Sequence, residues 1–530
     1  MFLALALLFL WLFYKWSVNN LEYFKKIGVP YEKPLPLFGN ALGLLLKKQS
    51  FIDLTRNSYY KFKNSSRIFG FFNFRQINYF ITDPELIKRI TIKDFEHFTN
   101  KDSPMAHADK VFSRILPFLR DKEWTDMRST LSPIFTSSKM KMMYGLLSDQ
   151  ARDFVNFFEE KSQRGETLEM DAKNIFARFT ANGIATSALG FEADCVRNVD
   201  SDVFKLVGTF INEATDTLTI LKGFLFMTIP SLYKLLGFRL LSKEMYNFFK
   251  RVVIDQMDER DRNKTSRPDI IQLMLQLKKG QLRQDKENEV NDKELINFSA
   301  NVEYEASSKG KSTSQFTDDD WIAQGFVFFG AGFDTTSTLL QTTCYELMKN
   351  PDIQLELYNE IDSVASTLDG RSVSFEALHK MTFLDMVVSE GLRKWPPIIQ
   401  TNRICTKDYF VPLGNGSTIT IKKDQQILFP YFHIQNDPAY FPNPEKFDPY
   451  RFANENKDSI VQGSYLPFGL GRRNCIGSRF ALMEAKLLLF HLVHKFSIEK
   501  CVKTPETIKH KEGFMPSIKE TVYLKFVPRK

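Results

Sequence analysis

The strongest chemical context in this sequence surrounds Cys475, in the run Phe468-Gly-Leu-Gly-Arg-Arg-Asn-Cys475-Ile-Gly477. Two glycines in so short a loop let the backbone come close to a flat ligand. A strongly apolar helical stretch, 478–496, follows at once. A cysteine just ahead of a helix has its thiolate stabilised by the helix N-terminus and by loop N–H groups. A second constellation, Ala331-Gly332-Phe333-Asp334-Thr335-Thr336, lies inside a long helical stretch, 317–348, whose residues 326–332 are almost wholly apolar. An acid and two hydroxyls in a buried helix need partners. Thr335 is placed to bond back to the Ala331 carbonyl, and Gly332 permits a local distortion. Elsewhere Trp124 and Arg128 stand four residues apart on one helix face, and Glu390 and Arg393 stand three apart on another. The first arginine is a fork suited to a carboxylate, and the second is placed for an ion pair.

Other chemistries lack their residues. Five cysteines (195, 344, 405, 475 and 501) without regular spacing make no disulfide framework, and no C-x-x-C pair exists for zinc. The pattern points to the reducing cytosol. His491 and His494 share a helix face but have no third ligand nearby, so they read as structural. Gly330-Ala-Gly332 is not a dinucleotide loop, because no strand precedes it. Net charge is +8, but Lys and Arg are spread along the chain, which argues against nucleic acid as a partner. The excess fits an acidic partner or a membrane surface.

The elements that must position these residues are mostly helical. Helical period predicts helices at 139–163, 168–189, 202–222, 240–262, 317–348, 351–367, 381–394 and 478–496. Alternation predicts a hairpin over 66–83 and short strands over 406–430. Residues 277–316 are polar and read as a surface loop. The 50 phenylalanines suit a large core and a greasy pocket. Residues 1–18 are apolar but for Lys15 and the polar Ser17, about 27 Å as a helix, close to the ~30 Å of a bilayer core. No cleavage site follows, and Lys15, Lys25 and Lys26 come after the run, so it reads as an uncut anchor holding the rest in the cytosol. Residues 19–40 carry three prolines in seven residues and read as a stiff connector, with 41–530 as one catalytic domain. The greasy segment 221–241 is core or a second membrane contact.

The cysteine loop resembles the haem-binding signature of the cytochromes P-450, F-x-x-G-x-x-x-C-x-G, with every fixed position filled, and the likeness runs from about residue 20 to the C-terminus. It implies a mostly α fold with small β-sheets, and haem b (iron protoporphyrin IX) with Cys475 as the axial thiolate. By the same resemblance Phe468 belongs to the haem loop, and Trp124, Arg128, Arg403 and Arg473 reach the haem propionates. Asp334 and Thr335 deliver protons. Glu390, Arg393 and Arg451 form a structural triad, although the family's P-E-R-F motif reads Pro449-Tyr450-Arg451-Phe452 here. Val327, Ala331, Thr335, Ile398, Ile399 and Phe514 line the substrate pocket. The implied activity is a monooxygenase that inserts one atom of O2 into a lipophilic small molecule, with electrons from NADPH through a cytochrome reductase. Cytochrome b5 is a further donor. Arg472, Arg479, Lys122 and Lys139 form the reductase docking face, and the endoplasmic reticulum membrane is the location, with the catalytic domain in the cytosol. A peroxide-rearranging enzyme shares the loop, but Asp334 and Thr335 favour dioxygen chemistry; a haem sensor or carrier is the non-enzyme alternative. The entry segment 23–36 and the run Leu131-Ser-Pro-Ile-Phe-Thr-Ser-Ser-Lys-Met-Lys resemble insect family nine.

Overall fold

The computed structural model describes residues 2–103, 106, 109–206, 208, 222, 225, 241–282, 316–413, 416–513 and 517–529. Helices dominate among them. Those that bear on the site are α1 (Phe2–Val18), α2 (Phe51–Phe62), α3 (Asp121–Leu131), α4 (Ser137–Gln163), α5 (Ala172–Ser187), α6 (Asp318–Lys349), α7 (Pro351–Ala365), α8 (Thr382–Lys394) and α9 (Ser478–Lys495). The strands are β1 (Ile68–Asn73), β2 (Gln76–Ile81), β3 (Glu169–Asp171), β4 (Thr401–Ile404), β5 (Tyr409–Pro412), β6 (Thr418–Ile421), β7 (Gln426–Phe429), β8 (Phe496–Glu499) and β9 (Tyr523–Pro528). They form a mixed sheet in the order β1-β2-β7-β4, a three-stranded sheet β3-β9-β8 and the hairpin β5-β6. Only β2 and β7 run parallel.

The long helix α6 carries the chain from the surface to the centre. Its start is set by a capping box: Thr317 Oγ1 accepts the Asp320 N–H, and Asp320 Oδ2 accepts the Thr317 N–H at 2.7 Å. Asp318, Asp319 and Asp320 oppose the positive end of the helix dipole. Beyond that turn most of α6 is buried, with α5 packed along it. Gly332 sits where a Cβ would collide with Ile184 Cδ1 of α5. The close approach of two helices is therefore what this glycine serves, and α6 stays continuous through it.

Several expectations need adjustment. The first turn predicted for 168–189 is a strand: Glu169–Asp171 pairs with Tyr523–Lys525, and the helix starts only after Asp171, whose carboxylate accepts the Asn174 N–H at 3.1 Å. The stretch 240–262 is helical but passes through a π-turn at Arg251–Asp255. Nearly all of 202–222 beyond Leu206 and of 221–241, and residues 283–315 of the polar loop, lie outside the described residues.

Residues 19–40 do not stand off as a spacer. Phe24 is fully buried, its ring 5.1 Å from Phe72 and 5.2 Å from Tyr79. Tyr31 bridges to Gly70, and Gly39 to Asn73. The segment docks on the first sheet through these bridges, with Phe24 buried and Tyr23, Tyr31 and Phe38 half-buried. The end of α1 is held as well: the Leu37 N–H donates to the Ser17 carbonyl at 3.1 Å, and the Arg75 guanidinium lies 4.0 Å over the Trp16 ring. Ahead of that point the apolar side chains of α1, Phe2 to Tyr14, are largely exposed. Among the described residues no helix is long and apolar enough to cross a membrane, α1 having 17 residues.

Candidate functional site

The Cys475 loop is shaped by its glycines. Gly469 (φ +78°) and Gly471 (φ +72°) take left-handed conformations, and a Cβ on Gly471 would strike the Thr91 carbonyl oxygen. The Cys475 N–H donates to the Phe468 carbonyl at 2.9 Å, which closes the loop three residues ahead of α9. The side chain of Cys475 opens into a cavity of about 380 Å3. Burial pushes its thiol up, opposed by the Gly477 N–H and the charges of Arg128 and Lys101.

The opposite wall of that cavity is one face of α6. Val327, Ala331, Thr335 and Leu339 line it at four-residue spacing. Ile398, Phe468, Trp124, Arg128 and Arg473 line it too, so most of the residues singled out in the sequence converge here. Ile399 does not. It is buried behind the wall, and its carbonyl accepts the Phe432 N–H at 3.0 Å. Of the two isoleucines after Pro396-Pro397 only Ile398 is on the cavity lining, together with Pro397 and Thr401. Phe514 lies outside the described residues.

At one end of the cavity cations gather. Arg128 forks onto Asn474, Nη1 donating to the carbonyl at 3.0 Å and Nη2 to Oδ1 at 2.8 Å, and so braces the cysteine loop. Arg473 stacks 3.9 Å over the Trp124 ring and donates to the carbonyls of Thr99 and Leu119. Arg403, on β4, is 2% exposed, and its Nε has no hydrogen-bond partner among the described residues. Burial pulls its pKa down to about 10. Lys101 joins them on the cavity lining, a residue that sequence reasoning missed. Its pKa is held well below the usual lysine range by burial, then by Arg403 and Arg473. Arg473 is held down by burial, then by Arg403 and Arg128. Cations crowded into a dry site call for an anion. A lone lysine in Asn-Lys-Asp-Ser-Pro looks like any solvated charge, so nothing in the sequence marks it.

The haem implied by the sequence motif fits these residues. Its two carboxylates match the cluster of cations and the orphaned Arg403 Nε, and its iron matches a thiol set on a glycine loop beneath an apolar wall. The residues that could hold it are Cys475, Arg128, Arg403, Arg473, Lys101 and Trp124.

On α6, Thr335 Oγ1 donates to the Ala331 carbonyl at 2.7 Å, the back-bond expected from the spacing. Thr180 of α5 donates to the Phe333 carbonyl at 2.9 Å. Asp334 is not buried. Its side chain is about half exposed and faces away from the cavity toward Lys173, whose Nζ lies 2.9 Å from Oδ1. The same ammonium donates to the Asp334 carbonyl and to the hydroxyls of Ser337 and Thr338. On a helix adjacent residues are about 100° apart, so Thr335 toward the cavity puts Asp334 toward the flank.

Glu390 and Arg393 form a fully buried fork, with N–O distances of 2.7 and 2.8 Å. Arg451 approaches Glu390 at 3.5 Å as the third member. Tyr450, standing where the motif has a glutamate, donates its hydroxyl to Glu356 of α7 and so gains an acid from a neighbouring helix.

The sequence model of the family Cytochrome P450 matches residues 29–525. Cytochrome P450 9e2 of Blattella germanica is 40% identical, over 93% of this chain and 92% of its own. Probable cytochrome P450 9f2 of Drosophila melanogaster is 36% identical, over 100% of this chain and 99% of its own. Cytochrome P450 6k1 of Blattella germanica is 35% identical, over 93% and 90%. Agreement that spans the site and nearly the whole chain around it means that this chain belongs to the cytochrome P450 family, as a haem-dependent monooxygenase.

Proposed function

We propose that this monooxygenase oxidises lipophilic small molecules at the membrane of the endoplasmic reticulum, with electrons passed from NADPH by a reductase and cytochrome b5 as a further donor. The observation that carries this reading is the cavity: the Thr335 hydroxyl and the Cys475 thiol open into one space whose remaining lining is mostly apolar. A ligand that gains by entering such a space is itself apolar.

Bound haem supplies dioxygen activation, which the Cys475 thiolate favours by donating electron density. Arg128, Arg403, Arg473 and Lys101 would hold its carboxylates, whose charge would offset their mutual repulsion. The Thr335 hydroxyl donates a hydrogen bond to the Ala331 carbonyl and keeps its Oγ1 lone pairs to accept; on taking up a proton there it releases its own, so it stays neutral. Asp334 feeds that hydroxyl from the surface once Lys173 lets it go. Apolar side chains of α6 exclude stray water and orient the substrate.

The reductase docks beside the cysteine loop. Lys122 is exposed there and pairs with Asp126, and Arg472 pairs with Glu96 at 3.3 Å. Arg479 donates to the Phe135 carbonyl, and Lys139 is half-buried nearby. An acidic partner would exchange these surface pairs for its own. The exposed apolar side chains of α1 insert into lipid, and the docking of Trp16 and Ser17 on the body fixes the angle at which the catalytic domain leaves the membrane.

Thr335→Ala tests the reading. With reductase present, NADPH consumption, hydrogen peroxide and oxygenated product are measured together. NADPH use should continue while its yield shifts from product to peroxide, because a positioned proton donor contributes roughly 10²–10⁴-fold. Unchanged product per NADPH would show that this hydroxyl is not on the proton path.

A further inference from the structure

The amide of Gln324 has no part in the scheme above and is not itself on the cavity lining, yet it holds a piece of that lining. Gln324 lies on α6 one turn ahead of Val327 and Phe328, which face the cavity. It is fully buried. Its Oε1 accepts the Leu116 N–H at 3.1 Å, and its Nε2 donates to the Arg114 carbonyl at 2.8 Å and to the Asp320 carbonyl at 3.1 Å. One side chain thus pairs with a backbone N–H and a backbone C=O two residues apart, as a neighbouring strand would. An amide can do so because it is donor and acceptor at once. A second tie lies nearer the surface, where the Arg114 guanidinium pairs with Asp320 of α6. Leu116 and Pro117 line the cavity. Beyond them, Arg473 donates to the carbonyls of Pro117 at 3.4 Å and Leu119 at 2.9 Å. The stretch 114–119 is therefore fastened to α6 at one end and to the cysteine loop at the other, each time by a buried polar side chain.

We propose that Gln324 is a positioning residue for specificity: by fixing Leu116 and Pro117 against α6 it limits the bulk of the apolar molecule that the cavity accepts. The proposal rests on the reading of that cavity as the site for a lipophilic ligand. Without the amide, the Leu116 N–H and the Arg114 carbonyl would stay buried with no partner, which a dry site strongly disfavours. The stretch 114–117 would then move off α6 toward water, and the cavity would widen on that side. The change stays local. The short helix Lys110–Arg114 keeps a separate apolar contact with α6, the Phe112 ring lying 5.2 Å from that of Phe326. Arg473 still holds the far end. Gln324 thus acts on the ligand only through the two residues it holds, and it touches neither the ligand nor the reacting atoms.

Two measurements on the haem-loaded protein test this, and neither needs turnover. The first is amide hydrogen exchange read by mass spectrometry. In Gln324→Leu, exchange in the peptide covering 110–120 should be roughly tenfold faster, while a peptide within α8 keeps its wild-type rate. The second is the binding of N-phenylimidazole and of the bulkier N-biphenylylimidazole, followed by the Soret shift. The ratio of the bulkier ligand's dissociation constant to the smaller one's should fall by roughly tenfold in Gln324→Leu, the scale on which apolar pockets discriminate. Arg114→Gln, which removes only the outer tie, should move both readings the same way by roughly two- to threefold. Where Gln324→Leu yields no haem-loaded protein, Arg114→Gln decides the matter. Wild-type exchange over 110–120 in Gln324→Leu overturns the proposal. So does a wild-type ratio in both variants. Two dissociation constants that rise by one common factor, with faster exchange in α8 as well, also overturn it, since that is the mark of a merely structural role. A wild-type protein whose Soret band responds to neither azole would overturn the proposed function instead, and hydrogen exchange would still test Gln324.

Discussion

Arg393→Ala is the substitution whose cost follows most directly from the geometry. The Arg393 guanidinium is fully buried and donates to both oxygens of Glu390, to the Pro444 carbonyl at 2.7 Å and to the Gln435 carbonyl at 3.1 Å. Removing it leaves Glu390 with the Asp448 N–H at 2.9 Å and with Arg451 at 3.5 Å, too distant for a good hydrogen bond. A buried carboxylate that loses its main counter-ion costs about 3–5 kcal/mol, against a total folding stability of roughly 5–15 kcal/mol. The lower bound already shifts the folding equilibrium more than about a hundredfold. Glu390→Gln should cost less, because the amide keeps one acceptor and Arg393 keeps its carbonyls. Arg451→Ala should cost about 1 kcal/mol, since a 3.5 Å contact at a partly open position is loose. The assay is the urea midpoint followed by tryptophan fluorescence, with the haem-to-protein ratio of the freshly purified enzyme. A wild-type midpoint for Arg393→Ala, or a loss in Arg451→Ala as large as in Arg393→Ala, would refute this ranking.

Lys101→Met should have opposite effects on the two forms of the protein. It relieves the mutual repulsion of Lys101, Arg403 and Arg473 and so raises the thermal midpoint of the haem-free protein, while haem dissociates several-fold faster from the loaded one; equal haem loss would remove Lys101 from the site. His433, whose Nε2 lies 2.7 Å from Thr55 Oγ1 of α2, has its pKa pulled by burial from 6.5 to about 3. The unfolded chain takes up this proton near pH 6.5 and the folded one only near pH 3, so stability should fall as pH drops through that window, by about 1.4 kcal/mol per unit. His433→Gln should make the pH slope of the urea midpoint shallower by one proton between pH 4 and 6, and an unchanged slope would count against it.

Much of the site was legible because its residues sit at fixed spacings within single elements. The Cys475 loop, the Thr335 back-bond to Ala331 and the Glu390–Arg393 pair each depend on a turn or on helical period, so local sequence carries them. The docked segment 19–40 was misread because three prolines describe a stiff backbone and say nothing of where Phe24 buries. Ile399 and Ile398 differ only in which side of an irregular strip they occupy. Asp334 was expected in the interior, yet a neighbour 100° around the helix from a cavity-facing Thr335 belongs to the flank, where Lys173 from α5 meets it.

The sequence by itself determined the thiolate ligand, the long helix above it, the helical class and the chemistry these imply, because each is written within about ten consecutive residues. Only the tertiary structure decided which charges work together. Lys101, Arg128, Arg403 and Arg473 come from four separate stretches of chain. Whether a lysine is solvated or starved of an anion depends on what the rest of the fold packs around it. Desolvation and Coulomb energy are properties of that packing and not of the residue type.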